Sequence, residues 1–205
     1  MDSKEKRTPD FSIENEYISK GYKLICGVDE AGRGPLVGRV YAGACILPAG
    51  LYIEGLNDSK KLSEKKRELL YDEIKSECIT CATAFCTAEE IDEMNILNAA
   101  MLAMKRAIEN LDPKPDFCLV DGNCTRGFGE NAVSVVKGDS ISCSIAAASI
   151  LAKVERDRYC GELDKLYPEY GFGKHKGYPT KDHYAAIEKY GPCPEHRKSF
   201  KLYKK

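Results

Sequence analysis

The stretch that leaves this chain least freedom is LICGVDEAGRGPLVGRVYAGACIL, residues 24–47. YKLICGVD and RVYAGACIL are apolar and β-rich, and the turn-forming EAGRGPLVG joins them. Consecutive strands on so short a connection usually lie side by side and antiparallel. The first strand ends on two adjacent acids, Asp29 and Glu30, and Arg33 follows between two glycines. An acid placed directly after LICGV closes a buried strand, so its carboxylate belongs to the rim of a core and not to an ordinary polar loop.

Downstream, SEKKRELLYDEIKSE has helical spacing, with Leu69, Leu70 and Ile74 on one face and Ser63 as its N-cap. CITCATAFC alternates as a strand. Thr87 and Glu90 stand at capping-box spacing before a short helix, and a longer helix starts near Asn95 with an apolar stripe through Ile96, Ala100, Met101, Met104, Ile108 and Leu111. PDFCLVDG is a buried strand ending in Asp121, and AVSVV is another that runs into KGD with Asp139. SISCSIAAASILAKVERDRYCGEL is a long helix whose small residues let it lie close against a sheet. The order is strand, strand, helix, strand, helix, helix, strand, strand, helix, which is an α/β fold on a mixed sheet. The expected organisation is an extension over residues 1–22, a core over 23–170, and a small helical and loop-rich appendage over 171–205.

The length of 205 residues suits one domain. The N-terminus has no apolar run of the secretory type, and the longest uncharged stretch, residues 40–53, is shorter than a membrane span. A cytoplasmic protein is expected. The ten cysteines are scattered through core elements and are read as reduced thiols. In Cys78-Ile-Thr-Cys81, strand geometry would turn the two thiols to opposite faces, which argues against a metal or redox pair. Charge is unevenly spread: residues 171–205 carry nine Lys and Arg against three acids, a balance of +6, so the other residues carry −7 of the net −1. A basic segment beside an acidic body suits a division between gripping phosphate and holding metal, although a solvated basic terminus gives the same count.

Four acids, Asp29, Glu30, Asp121 and Asp139, stand at strand ends or just beyond them. Carboxylates gathered in space hold their protons unless positive charge lies between them. Oxygen-only ligands with open positions suit Mg²⁺ or Mn²⁺, whereas zinc draws His and Cys. The glycine-rich turn is not a dinucleotide fingerprint, because Val37 takes the third glycine position and a strand follows in place of a helix. What such a turn offers is backbone brought close to a ligand, suited to a ribose 2′-hydroxyl, with Arg33 available for a phosphate.

GVDEAGRGPLVG, NDSKKLS, LVDG, KGD, SIAAASILAKVERD and HKGYPTKDH, in that order, resemble the bacterial form of ribonuclease HII, the type 2 ribonuclease H family, across residues 24 to about 200. The resemblance implies an RNase H-like fold with a mixed five-stranded sheet flanked by helices. It implies hydrolysis of RNA paired with DNA and a cut on the 5′ side of single ribonucleotides in duplex DNA, leaving a 3′-hydroxyl and a 5′-phosphate. Asp29, Glu30, Asp121 and Asp139 would be the catalytic and metal-binding carboxylates, holding two Mg²⁺ or Mn²⁺ ions. Gly32, Arg33 and Gly34 would recognise the 2′-hydroxyl, Lys60 would hold a phosphate, and Tyr178 would pack on the deoxyribose after the ribonucleotide.

Some residues keep two readings. Asp157 is either a supporting acid of the site or the partner of Lys153 one helical turn earlier. Lys60 and Lys61 are otherwise solvated lysines, and Tyr178 a loop-packing aromatic. His175 and His183 support the loop or contact phosphate. Arg39 stands where the family commonly has proline, adding a phosphate contact or merely tolerated at a strand edge. With about 20 residues before the first strand, the resemblance is to type HII over type HIII, and the five residues after RKSF leave a clamp-binding tail unexpected. Two rivals remain: a silent binder of RNA–DNA junctions, and another two-metal nuclease of this fold. The expected partner is nucleic acid, with no membrane, and the absence of a heptad pattern favours a monomer.

Overall fold

The computed structural model describes residues 8–203; the first seven residues of the expected extension, and Lys204 and Lys205 of the basic segment, lie outside them. A five-stranded mixed sheet has the order β3-β2-β1-β4-β5. The strands are β1 (Ile25–Ala31), β2 (Val40–Ile46), β3 (Thr80–Cys86), β4 (Phe117–Asp121) and β5 (Ala132–Val135). β2 runs antiparallel to β1 and β3, as the short 32–39 connection requires, while β1, β4 and β5 are parallel. The helices are α1 (Ser12–Ser19), α2 (Glu64–Glu77), α3 (Ala88–Met94), α4 (Ile96–Glu109), α5 (Cys143–Leu166), α6 (Phe172–His175) and α7 (Lys181–Tyr190).

The local signals hold where they are local. Ser63 caps α2 by accepting from Lys66 N at 3.3 Å, Thr87 and Glu90 close their capping box, and Asn95 caps α4. In α2 the buried face is Leu70, Tyr71 and Ile74, and Leu69 faces solvent, because the helix lies on α5 through the side that Tyr71 shares. The 78–86 strand begins only at Thr80, since Cys78 still caps α2. This change of element brings the Cys78 and Cys81 thiols within hydrogen-bonding reach, contrary to the expectation of opposite faces. Helix α1 adds an element beyond the sequence-derived order. Its buried Glu14 accepts from Ser142 Oγ at 2.6 Å and Ser144 N at 2.9 Å, fastening it to the start of α5.

The sheet is packed on both faces, by α4 on one and by α5 with α2 on the other. Two glycines bring α5 close. A Cβ on Gly27 would stand 2.1 Å from the carbonyl carbon of Ser144, and one on Gly43 would stand 2.3 Å from Ala148 O. The small residues Ala146, Ala147 and Ala148 complete that seam. Among the described residues no helix is long and apolar enough to cross a membrane.

Candidate active site

The parallel pairing of β1 with β4 ends at Val28 beside Val120, so the next residues along, Asp29 within β1 and Asp121 at the end of β4, stand side by side. Asp29 is buried, and one of its oxygens accepts from Glu30 N at 2.7 Å. Asp121 Oδ1 accepts from Gly138 N at 2.7 Å, which ties the end of β4 to the single 3₁₀ turn Gly138–Ser140 that carries Asp139. The same turn leads into α5, so three neighbouring chain segments deliver the four acids to one end of the sheet.

These carboxylates act on one another. Burial, then the charges of Glu30 and Asp121, hold the Asp29 carboxyl well above the usual carboxylate range. Burial raises Glu30 as well, with Asp121 adding and Arg33, 3.3 Å away, opposing. Asp139 is raised by burial, then by Asp58 and Asp121. The nearby ammonium is Lys60, 3.7 Å from Asp139 Oδ2. Burial works against its charge, but Asp29, Asp139, Asp58 and Asp121 outweigh that and raise its pKa. Lys60 and Arg33 do not balance this many acids. The donor set is all carboxylate oxygen, which fits hard divalent cations. Among the described residues no three Asp, Glu, His or Cys side chains stand close enough to hold an ion as they are.

Beside the acids lies a cavity of about 290 Å³, floored by Glu30 and the Gly32–Gly34 turn and walled by Lys60, Lys153, Arg156 and Tyr178. Gly32 has φ +103°, and a Cβ there would strike the Arg156 side chain at 2.1 Å. A Cβ on Gly34 would touch the Tyr178 ring at 3.4 Å. Tyr178 is 44% exposed, and its carbonyl meets His183 Nδ1 at 3.0 Å. The structure thus brings Gly32, Arg33, Gly34, Lys60 and Tyr178 to one cavity adjoining Asp29, Glu30, Asp121 and Asp139.

Asp157 sits apart from the four acids. It is buried between Arg67 Nη2 at 3.2 Å and Lys153 Nζ at 2.5 Å, and Arg67 also donates to the carbonyls of Ser59 and Leu62 beside Lys60. Its link to the cavity therefore runs through cations. Arg39 is stacked, its guanidinium 4.0 Å from the Phe85 ring centre and 4.7 Å from that of Tyr159. His175, His183 and His196 cluster beneath the Tyr178 loop, with His183 Nε2 3.1 Å from His196 Nε2. Burial first holds His183 and His196 down at about 4.

Three contributors escaped the sequence reading, Asp58, Arg156 and Arg197, while Lys153 was read there only as a partner of Asp157 and also lines the cavity. Arg156 had a signal, because it falls on the α5 stripe of Ala152, Tyr159, Cys160 and Leu163. Arg197 had none, being one cation in a basic run.

A family model described as Ribonuclease HII matches residues 26–203. The ribonuclease HII of Vibrio parahaemolyticus is 58% identical over 186 residues, covering 91% of this chain and 88% of that protein. That of Aliivibrio fischeri is 54% identical over 200 residues, covering 98% and 97%. Among solved structures, the ribonuclease H2 of Pyrococcus horikoshii superposes with a TM-score of 0.72 at 28% identity, covering 88% of this chain and 95% of that one.

Proposed function

The chain belongs to the ribonuclease HII family of metal-dependent endonucleases acting on RNA paired with DNA, and from that premise we propose that it also cuts 5′ of single ribonucleotides in duplex DNA. The observation that supports this most is the meeting of mutually repelling carboxylates with a cavity formed by a glycine-flanked arginine turn and an exposed tyrosine. In the proposal Asp29, Glu30, Asp121 and Asp139 are the residues that would hold two Mg²⁺ or Mn²⁺ ions. Such ions, when bound, lower the pKa of an attacking water and neutralise charge on the departing 3′ oxygen.

This chain's own groups supply position. Lys60, held by the Ser59–Lys61 turn that Asp58 caps, reaches into the cavity and takes a phosphate. The amides of Arg33 and Gly34 face the ribose, where a hydroxyl separates RNA from DNA. Tyr178, partly exposed at the cavity wall, packs on the following deoxyribose. No protein nucleophile is required, and no cysteine lines the cavity among the described residues. The proposal includes the division into a 1–22 extension, a 23–170 core and a substrate-contacting 171–205 segment, a cytoplasmic setting and a monomeric state.

The test is a labelled duplex with one ribonucleotide beside an all-DNA control, with Mg²⁺, with Mn²⁺ and with chelator. The expected result is a metal-dependent cut 5′ of the ribonucleotide, giving a 3′-hydroxyl and lost in Asp29→Asn. Tight binding without cleavage in either metal would move the reading to the silent binder.

A further inference from the structure

The turn proposed to read the ribose is built around one side chain that reaches it from a distant part of the sequence. Arg197 is fully buried, and all five of its N–H donors are spent on carbonyls of that turn. Nε donates to Gly38 O at 2.8 Å; Nη1 to Arg33 O at 3.2 Å and Pro35 O at 2.7 Å; Nη2 to Gly32 O at 2.7 Å and Arg39 O at 3.2 Å. The backbone around it is interlaced with the same segments. Arg197 N donates to Leu36 O at 2.9 Å, Gly38 N to Glu195 O at 2.8 Å, and Leu36 N to Gly177 O at 2.8 Å, one residue from Tyr178.

Peptide planarity turns this into a statement about the opposite face. In a trans peptide the carbonyl of one residue and the N–H of the next point in opposite directions. With the carbonyls of Gly32 and Arg33 drawn inward to the guanidinium, the N–H groups of Arg33 and Gly34 are directed outward. Among the described residues neither of those two N–H groups has a hydrogen-bond acceptor. A second buried guanidinium, Arg156, presses on Gly32, and two of its nitrogens lack partners. Among the described residues neither arginine forms an ion pair, so two cations back the turn. Burial and the charge of Arg156 bring the pKa of Arg197 down to about 9, which leaves it charged at neutral pH. A cation behind the carbonyls polarises each peptide and strengthens its N–H as a donor.

We propose that Arg197 is a positioning residue for ribonucleotide recognition: it fixes the peptides of residues 32–34 with their N–H groups toward the substrate and links that turn to the Tyr178 loop. The proposal rests on the function proposed above. Arg197 touches no substrate atom; it acts through the main chain. Lysine cannot replace it, because an ammonium has three donors radiating from a point where the fork has five in a plane.

The experiment compares the wild type with Arg197→Lys on the single-ribonucleotide duplex, with the all-DNA duplex as competitive inhibitor. The expected result is a KM at least tenfold higher, with the inhibition constant of the all-DNA duplex changed less than twofold. Partial unfolding alone would lower kcat and leave both constants in place. Arg106→Met serves as a control, since Arg106 is a hydrogen-bonded arginine on α4. It should lower the melting temperature without moving KM. A wild type that fails to cut removes the functional premise; a cutting wild type whose Arg197→Lys variant keeps its KM within twofold overturns the role of Arg197 alone. Should the variant not fold, the wild type itself decides by amide NMR. The Arg33 and Gly34 resonances should move downfield with the ribonucleotide duplex and not with the all-DNA one, and equal movement with both, or none, overturns the proposal.

Discussion

Replacing Asp157 by asparagine removes a negative charge and little volume, which makes it a clean probe of how the cavity wall is held. The Asp157 side chain is 5% exposed, and its partners Arg67 and Lys153 are 11% and 19% exposed, so solvent screens the trio poorly. Breaking a buried pair by removing one partner costs about 3–5 kcal/mol, because a charge is left uncompensated. Lys153 has a way out. Burial already lowers its pKa while Asp157 opposes, so it can shed its proton when the carboxylate is gone. Arg67 cannot. The expected cost is therefore near the lower limit, about 3 kcal/mol, and for a chain of this length that lowers Tm by roughly 6–12 °C. Guanidinium unfolding of the wild type, Asp157→Asn, Arg67→Met and the double variant gives the single costs and the coupling between them. Because Arg67 also braces Ser59 and Leu62, cleavage at 25 °C should fall about tenfold through a looser Lys60 segment, consistent with a small misplacement at a site. A cost under about 1 kcal/mol with coupling under about 0.5 kcal/mol would refute the reasoning.

Asp29→Asn should raise Tm at neutral pH, since it removes a carboxyl whose ionised form burial, then Glu30 and Asp121, disfavour, and should reduce cleavage by about a thousandfold or more; thermal melts and rates on one preparation check both. Gly43→Ala should cost about 3 kcal/mol or more, because its Cβ would meet the α5 backbone, which cannot yield as a side chain would; chemical unfolding measures it. His183 and His196 are held neutral in the fold at about 4 against about 6.5 when unfolded. Their contribution is complete above pH 6.5 and is lost as pH falls toward 4, at up to about 1.4 kcal/mol per pH unit for each ring, and replacing His196 by glutamine should flatten that limb of the stability curve. Lys60→Ala should reduce the salt dependence of duplex binding by about one unit of slope, as read from Kd across a salt series.

What the sequence made legible follows from range. Caps at Ser63, Thr87 and Asn95 act over three residues, and the β1–β2 pairing acts across an eight-residue connection, so each leaves its signature within a short window. Asp29 and Asp121 were visible because each directly follows an apolar run, and Glu30 and Asp139 because they lie within a few residues of one. Leu69 was misplaced because helical spacing alone does not say which side of a narrow stripe meets α5. The approach of Cys78 to Cys81 depends on one peptide being helical and the next extended, a boundary that alternation does not mark. Arg156 and Arg197 are buried by segments far from them in the chain, and an arginine about to be buried reads like any solvated one.

That range has a consequence in time. A chain made from its N-terminus releases Asp29, Glu30, Asp121 and Asp139 first, and Arg197 only 58 residues after Asp139. At roughly 5–20 residues per second, about 3–12 s pass with the acids already synthesised and the 32–39 turn still without its guanidinium clamp. During that interval the unfinished protein is tethered to a ribosome and to its own messenger. On the roles proposed here, the acids that cut and the turn that reads the ribose are both made beside RNA before the clamp that sets the turn, so selectivity is the last property the growing chain acquires.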